Sequence, residues 1–346
     1  MNVYSLRLTS RRGPQRQRGS AAIVVALLLS MVFAIGAFAL DIGHVLLTRN
    51  ELQNAADAAA LSGAGALFSG TAQPNWAGAE AKADSTAGLN KSGPISLTDS
   101  VVEAGYWNIT GSPAGIQSTS VVPGPNDVPA VKVSISRDTN QNGGKLVLSF
   151  GGFVGLKETA VTATAVALVS GPGAVPVGAL FPIAITKCLY DKYWDSAKMQ
   201  PKIDPATKKP YRFKIGSEYH YDVCDSGQWT SFQDDDNDVP AIRNLMENGN
   251  PKPLAIGDKT WIQPGTKNTL FDEVPANTDV LIPVVVDLDT HSFEPIVAFA
   301  AFHIDVGVGG SDKYIEGHFV TNVPAPAGSS GIGPYYGGFI PARLAQ

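Results

Sequence analysis

Hydrophobic positions follow three different patterns along this chain. From Ala21 to Leu40 the run is continuous: no charge occurs, and only Ser30 and Gly36 interrupt the apolar side chains. Roughly 20 apolar residues at about 1.5 Å rise cover a hydrocarbon core of about 30 Å. A helix is the open-ended segment that satisfies its own backbone there. Beyond it the pattern becomes helical and amphipathic. Leu52, Ala56, Ala59, Gly63 and Ala66 step by four and three and share a face, while Arg49, Asn50, Gln53, Asn54 and Asp57 lie mainly on the other. Gln53 and Asp57, four apart, can hydrogen-bond along the helix surface. No proline separates the two patterns, so one helix is predicted over 20–68, on the order of 70 Å long. Its outer half is a stalk, and its small-residue face lets another backbone come close. Gly63, Gly65 and Gly70 weaken it, and Pro74 ends it.

Trp76 to Ala87 has helix-forming composition between Pro74 and Gly93-Pro94 and predicts a short helix folding back on the stalk. From Ile95 the period is two. Strands are predicted at Ser100–Trp107, Val131–Arg137, Lys145–Phe150 and Thr159–Val169, separated by Gly/Pro/Asn turn clusters. Ser170-Gly171-Pro172-Gly173 breaks the pattern and marks a boundary. Beyond it, strands are predicted at Ala179–Ile185, Arg212–Tyr219, Lys259–Ile262, Asp279–Val286, Ile296–Ile304 and Tyr314–Val320. Pro283 suits an edge or a strand beginning. One distal helix is expected, Val239–Glu247, opened by Asp238 as N-cap with Pro240 in the first turn. The tail, Pro324 to Pro341, reads as a loop ending in a docked edge segment. The resulting fold class is α+β: a transmembrane helix extended into a stalk packed on a small β-sheet, then a mainly-β distal domain. Its units are a basic tail (1–19), a membrane helix (20–43), the stalk with its sheet (44–170) and the distal domain (174–346).

Charge adds an orientation. Arg7, Arg11, Arg12, Arg16 and Arg18 precede the apolar run, and the first acid is Asp41. The positive-inside rule places the N-terminus in the cytoplasm and the rest outside it. The alternative is a cleaved secretory signal, for which Ala37-Phe38-Ala39 supplies a small-x-small site. Net charge is −5 and the only basic cluster is this N-terminal one, which argues against nucleic acid as a partner and for contact with anionic lipid. In an oxidising compartment the two cysteines, Cys188 and Cys224, most simply form a disulfide.

A more specific resemblance rests on the order of residues in the helix. Arg18-Gly19-Ser20, the apolar run, Leu40-Asp41-x-Gly43, and then Arg49-x-Glu51-Leu52-Gln53-Asn54-Ala55-Ala56-Asp57-Ala58-Ala59-Ala60-Leu61 resemble the N-terminal region of TadG-like proteins of bacterial tight-adherence (Flp) pilus assembly systems. Looser matches are the alternating strands after it and the distal strings Phe181-Pro182-Ile183-Ala184 and Ile282-Pro283-Val284. Pilin-like relatives carry a glutamate at the fifth position after the processing glycine. Here that residue is Val24, so the likeness is to an assembly component rather than a pilin subunit. Some relatives carry a von Willebrand A-type domain with Asp-x-Ser-x-Ser, a string this chain lacks. The resemblance implies a non-enzymatic inner-membrane scaffold with a periplasmic bulk and other pilus-assembly proteins as partners. Asp41, Gly43, Leu52, Gln53, Ala56, Asp57 and Ala59 are its motif or helix-contact residues, and the small-residue face is a candidate homo-oligomer contact. The alternative is a surface-exposed minor pilin or adhesin, released or assembled after N-terminal cleavage.

Other chemistry is sparse. Asp234-Asp235-Asp236-Asn237-Asp238 is the dense carboxylate cluster, and Asp234, Asp236 and Asp238 are a weak calcium candidate. The EF-hand positions that require glycine and glutamate hold Val239 and Leu245, so an acidic turn capping the following helix is the simpler reading. His291, His303 and His318 lie on or beside strands, and His303 is placed to pair with a carboxylate. No P-loop, Gly-x-Ser-x-Gly or zinc-spaced set occurs. No cofactor is expected.

Overall fold

A computed structural model describes residues 20–69, 73–265 and 269–345; the basic segment 1–19 lies outside the described residues. The expected long helix is present as α1, Ser20–Ala66, 47 residues and about 70 Å long. Among the described residues it is the helix long and apolar enough to cross a membrane. Its two halves differ in surroundings. Between residues 21 and 40 every side chain is exposed except the partly covered Ala37. From Leu52 onward one face is fully buried, with Leu52, Ala55, Ala56, Ala59, Ala60 and Ala64 all out of solvent.

What covers that face is the chain itself. Helix α2, Trp76–Ala87, starts where expected. Asn75 caps it, accepting from the Gly78 N–H at 3.0 Å, and it returns along α1. Ala79, Ala83 and Ala87 are its buried stripe. At Gly63 an added Cβ would stand 2.8 Å from Ala83 Cβ and 2.9 Å from the Ala79 carbonyl oxygen. The helices are that close because neither presents a large side chain at the crossing. Polar ties complete the pairing. Thr86 Oγ1 donates to Ser62 Oγ (2.9 Å), and Glu51 Oε2 accepts from Ser92 Oγ (2.9 Å) and the Gly93 N–H (3.0 Å).

Both helices pack on a five-stranded sheet. Its strands are β1 (Ser100–Asn108), β2 (Ile116–Gln117), β3 (Asp127–Arg137), β6 (Val161–Leu168) and the C-terminal β14 (Arg343–Leu344), in the order β14-β6-β3-β1-β2, all antiparallel. The predicted alternation is observed: Val161, Ala163, Ala165 and Ala167 are buried with Val131, Val133 and Ile135 in the core shared with α1. On the other face Ser134 and Thr164, and Ser136 and Thr162, pair hydroxyls at 2.9 Å. Between β3 and β6 the expected strand Lys145–Phe150 is cut to β4, Leu146–Val147, which pairs with β5, Glu158–Thr159. A 3-10 turn, Gly151–Val154, follows β4. Glycine decides this break. A Cβ at Gly151 would meet the Leu156 carbonyl oxygen at 2.2 Å, and Gly155 has φ +83°, so the backbone turns where a strand would run straight.

The distal part is built on a seven-stranded sheet. Its strands are β7 (Ile183–Thr186), β8 (Phe213–Ile215), β9 (Gly227–Trp229), β10 (Lys259–Ile262), β11 (Thr278–Val285), β12 (Ser292–Val308) and β13 (Tyr314–Phe319). The order is β8-β13-β12-β11-β7-β9, with β10 also on β12, and only β7–β11 is parallel. The predicted Ile296–Ile304 extends to 17 residues because one strand serves β10 near its start and β11 and β13 further on. Pro283 is a correction: β11 is interior, between β12 and β7. The Leu281 carbonyl accepts from the Phe181 N–H, so positions 281 and 283 present their backbone to the β7 side. Regular pairing there is confined to Val284 and Val285, which spares the missing donor. A helix with no sequence signal of its own, α3 (Lys187–Tyr193), carries Cys188; the predicted α4 is Val239–Asn248. Cys188 and Cys224 are bonded across 36 residues with Cα atoms 5.4 Å apart, a closure worth roughly 3–4 kcal/mol of loop entropy.

The tail joins the two parts. Tyr335 and Tyr336 are buried in the distal core, and Tyr336 stacks on Tyr190 at 3.7 Å. Phe339, Ala342 and Leu344 pack on the proximal core, where β14 pairs with β6. Between them the tail runs along the 170–174 linker, with the Gly333 N–H donating to Gly171 O and the Ile340 N–H to Ser170 O, both 3.0 Å. A Cβ at Gly171 would meet the Pro334 carbonyl oxygen at 2.0 Å, so glycine in the linker is what admits the strap.

Candidate functional site

Four places collect the residues singled out in the sequence. The first is at the outer end of the uncharged apolar run of α1, one buried residue ahead of a stretch that is still mostly exposed. Asp41 is only 5% exposed. Its Oδ1 accepts from the Ser149 N–H at 2.8 Å and its Oδ2 from the Phe150 N–H at 2.9 Å. A carboxylate that receives two backbone donors is held in one orientation and satisfies two groups that the turn at 149–151 would leave open. Asp41 therefore ties α1 to the β4–β5 turn. Gly43, by contrast, is exposed, and a Cβ there would meet nothing within 4 Å.

The second place is the small-residue face. Leu52, Ala56 and Ala59 are fully buried against α2 and the sheet of the same chain. Within the chain, the backbone that this face admits is that of α2. Gln53 and Asp57 bond as expected, at 2.8 Å, and the Gln53 amide also donates to the Thr164 carbonyl at 3.2 Å, pinning the helix to β6.

The third is a cluster that the sequence scatters. The register of β12 and β13 sets His303 opposite His318, with ring centroids 5.0 Å apart. His303 Nδ1 lies 2.7 Å from Asp279 Oδ1 on β11. His318 Nδ1 lies 3.3 Å from Asp305 Oδ2, whose other oxygen takes Arg212 at 3.2 Å. Burial pushes the His318 imidazole below its ordinary value, against the opposing pull of Asp305. The pairing of His303 with a carboxylate was legible as a possibility. Its proximity to His318 and Arg212 is a product of register alone.

The fourth is the acidic turn. Asp238 accepts from the Ala241 N–H at 2.7 Å as the N-cap of α4, Asp234 pairs with Lys252 at 3.4 Å, and the Asp236 carbonyl accepts from the Gln263 amide. The side chains serve separate partners, and among the described residues no group of three or more potential ligands is arranged for a metal ion. The three carboxylates of the calcium candidate are not brought together.

An apolar helix continued as the core element of a helix-on-sheet module, with a mainly-β part beyond it, is the architecture these sites share. Residues 19–66 match the family described as putative Flp pilus-assembly TadE/G-like, and residues 48–167 match the family described as putative Tad-like Flp pilus-assembly. The two matches cover α1, α2 and the sheet through β6, and they bear out the TadG-like resemblance read from the helix. No curated protein and no solved structure matches the chain.

Proposed function

We propose that this chain is a membrane-anchored, non-catalytic scaffold of a tight-adherence pilus apparatus, with its N-terminus in the cytoplasm and its β-rich bulk in the periplasm. Involvement in that pilus system follows from the family matches. The observation that carries the finer reading is the continuity of α1. One helix without a break is bare and apolar over 21–40, then becomes the centre of a packed module from Leu52 on. A rigid element shared by anchor and module sets the height and tilt of everything built on it. The structural role is supported by the nature of the polar sites. Both cysteines are tied in a disulfide, and the carboxylates cap helices, latch turns or pair with cations. With the small-residue face used internally, contacts to other assembly proteins fall to the remaining surfaces of the module and the distal sheet.

Thiol labelling in spheroplasts tests the topology. A cysteine placed at exposed Ala206 should react with an impermeant maleimide, and one placed at Ser5 should react only after lysis. Intact mass from the membrane fraction should match the uncleaved chain. Cytoplasmic labelling at residue 206 sinks the proposal, as does a mature protein starting at Ser20 or Leu40, which would favour a filament-borne or released component.

A further inference from the structure

The β4–β5 turn has a second peculiarity besides its latch to Asp41. From Leu146 to Leu156 it carries no charge, and Lys145, Lys157 and Glu158 stand at its base. Leu146 is buried at its root and Leu148 half-buried, but beyond them the apolar side chains point away from the protein: Phe153 is 90% and Val154 74% exposed, with Val147 and Leu156 also bare. The turn descends beside the bare half of α1. A cleft of about 520 Å³ separates them, with Phe33, Ala37 and Phe38 on the helix side and Phe150, Phe153 and Val154 on the other.

Resting on the anchored reading above, we propose that residues 147–156 form a finger inserted in the outer leaflet of the bilayer that α1 crosses, with lipid acyl chains as the occupant of the cleft. The first argument is depth. Phe33 lies about 10 Å inside the outer end of the apolar run. A loop that shares a cleft with Phe33 and Phe38 sits at their level, so whatever medium surrounds the helix there also surrounds Phe153 and Val154. The second is backbone satisfaction. Irregular backbone is excluded from hydrocarbon unless its polar groups are paired. Here the Leu148 N–H donates to Lys157 O, Phe153 to Phe150 O, Gly155 to Gly152 O and Leu156 to Gly151 O. Ser149 and Phe150 donate to Asp41. The motif aspartate thus supplies the acceptors for two of the finger's N–H groups at the boundary where water ends. The third is the charge pattern: Lys157 at the base is placed for the headgroup level, where a long cationic side chain reaches outward.

The full chain, reconstituted in vesicles of phosphatidylethanolamine and phosphatidylglycerol, tests this by nitroxide labelling of single added cysteines, the native disulfide left intact. Labels at Phe38→Cys and Phe153→Cys should collide preferentially with oxygen and be shielded from a nickel chelate, whereas Ala206→Cys should behave as in water. A water-like label at 153 beside a lipid-like label at 38 overturns the finger and leaves the anchor standing. Water-like labels at both positions remove the anchor as well. A label at 153 shielded from both reagents means that another protein chain occupies the cleft, which also overturns the lipid assignment. Asp41→Ala should shift residue 153 toward water with residue 38 unchanged; no shift removes the latch role of Asp41.

Discussion

The proximal and distal cores solve the same packing problem with opposite materials. Among the described residues, the core around α1 buries alanine, valine, leucine and isoleucine and no ring fully, whereas the distal core is crowded with Phe, Tyr and Trp. In the proximal module the helices approach until Gly63 has no room for a methyl group. At that crossing the contact is made at backbone level and fails if the side chain grows. In the distal part single large side chains such as Phe302 and Phe319 fill the space between strands and loops, and each accounts for a large share of buried area. A crossing of the first kind restricts its contact positions to small residues. The second kind constrains mainly volume, which different residue combinations can supply. The family matches end at residue 167, at the edge between the two.

That contrast can be broken by experiment. Phe319→Ala should cost about 3–5 kcal/mol, read by hydrogen exchange as faster opening of distal peptides. If proximal peptides over 127–168 speed up equally, the tail strap couples the two cores into one unit and the contrast in cooperativity fails. Replacing both cysteines by serine should cost roughly 3–4 kcal/mol, also confined to distal peptides. Gly63→Val should cost about 1–3 kcal/mol in the proximal module. Gly65→Val, where a Cβ meets nothing within 4 Å, should be tolerated to within the helix-propensity difference of a few tenths of a kcal/mol. Equal effects at the two positions would refute close helix approach as the organising feature. The smallest expected effect is on pH. The folded state holds His318 below its ordinary value, so the unfolded chain binds its proton first as pH falls. Stability is full above the unfolded value near 6.5 and is lost as pH falls through the lower folded value; His318→Gln should flatten that slope.

The helix α1, the return helix α2 and the alternating strands β1, β3 and β6 were legible because each is specified by neighbours in sequence: an uncharged run, a four-three repeat, a period of two. The Gln53–Asp57 bond, the Asp238 cap and the disulfide were legible for the same reason or by elimination. Misreadings fell where long-range geometry overrides local pattern. Lys145–Phe150 alternates like a strand but is bent away by the Gly151 and Gly155 turn, Pro283 is tolerated inside a sheet whose neighbour pairs only beyond it, and α3 has no periodic signal over its seven residues.

By itself the sequence determined that a continuous apolar helix leads into a small-residue stalk, that the rest is mostly β, and which family the N-terminal half resembles. Those follow from periodicity and residue size, which act over a few residues. Only the tertiary structure decided what the small-residue face meets. An alanine stripe is equally suited to another chain or to its own, and the choice fell to α2 because the turn after Ala66 and the Asn75 cap bring that helix back within reach. Only the fold placed Asp41 beneath the backbone of residues 149 and 150, more than a hundred positions away. Strand register likewise put His303 beside His318, and the tail came to bind both cores. Such contacts depend on how the chain closes long loops, and no local pattern of polar and apolar residues encodes that.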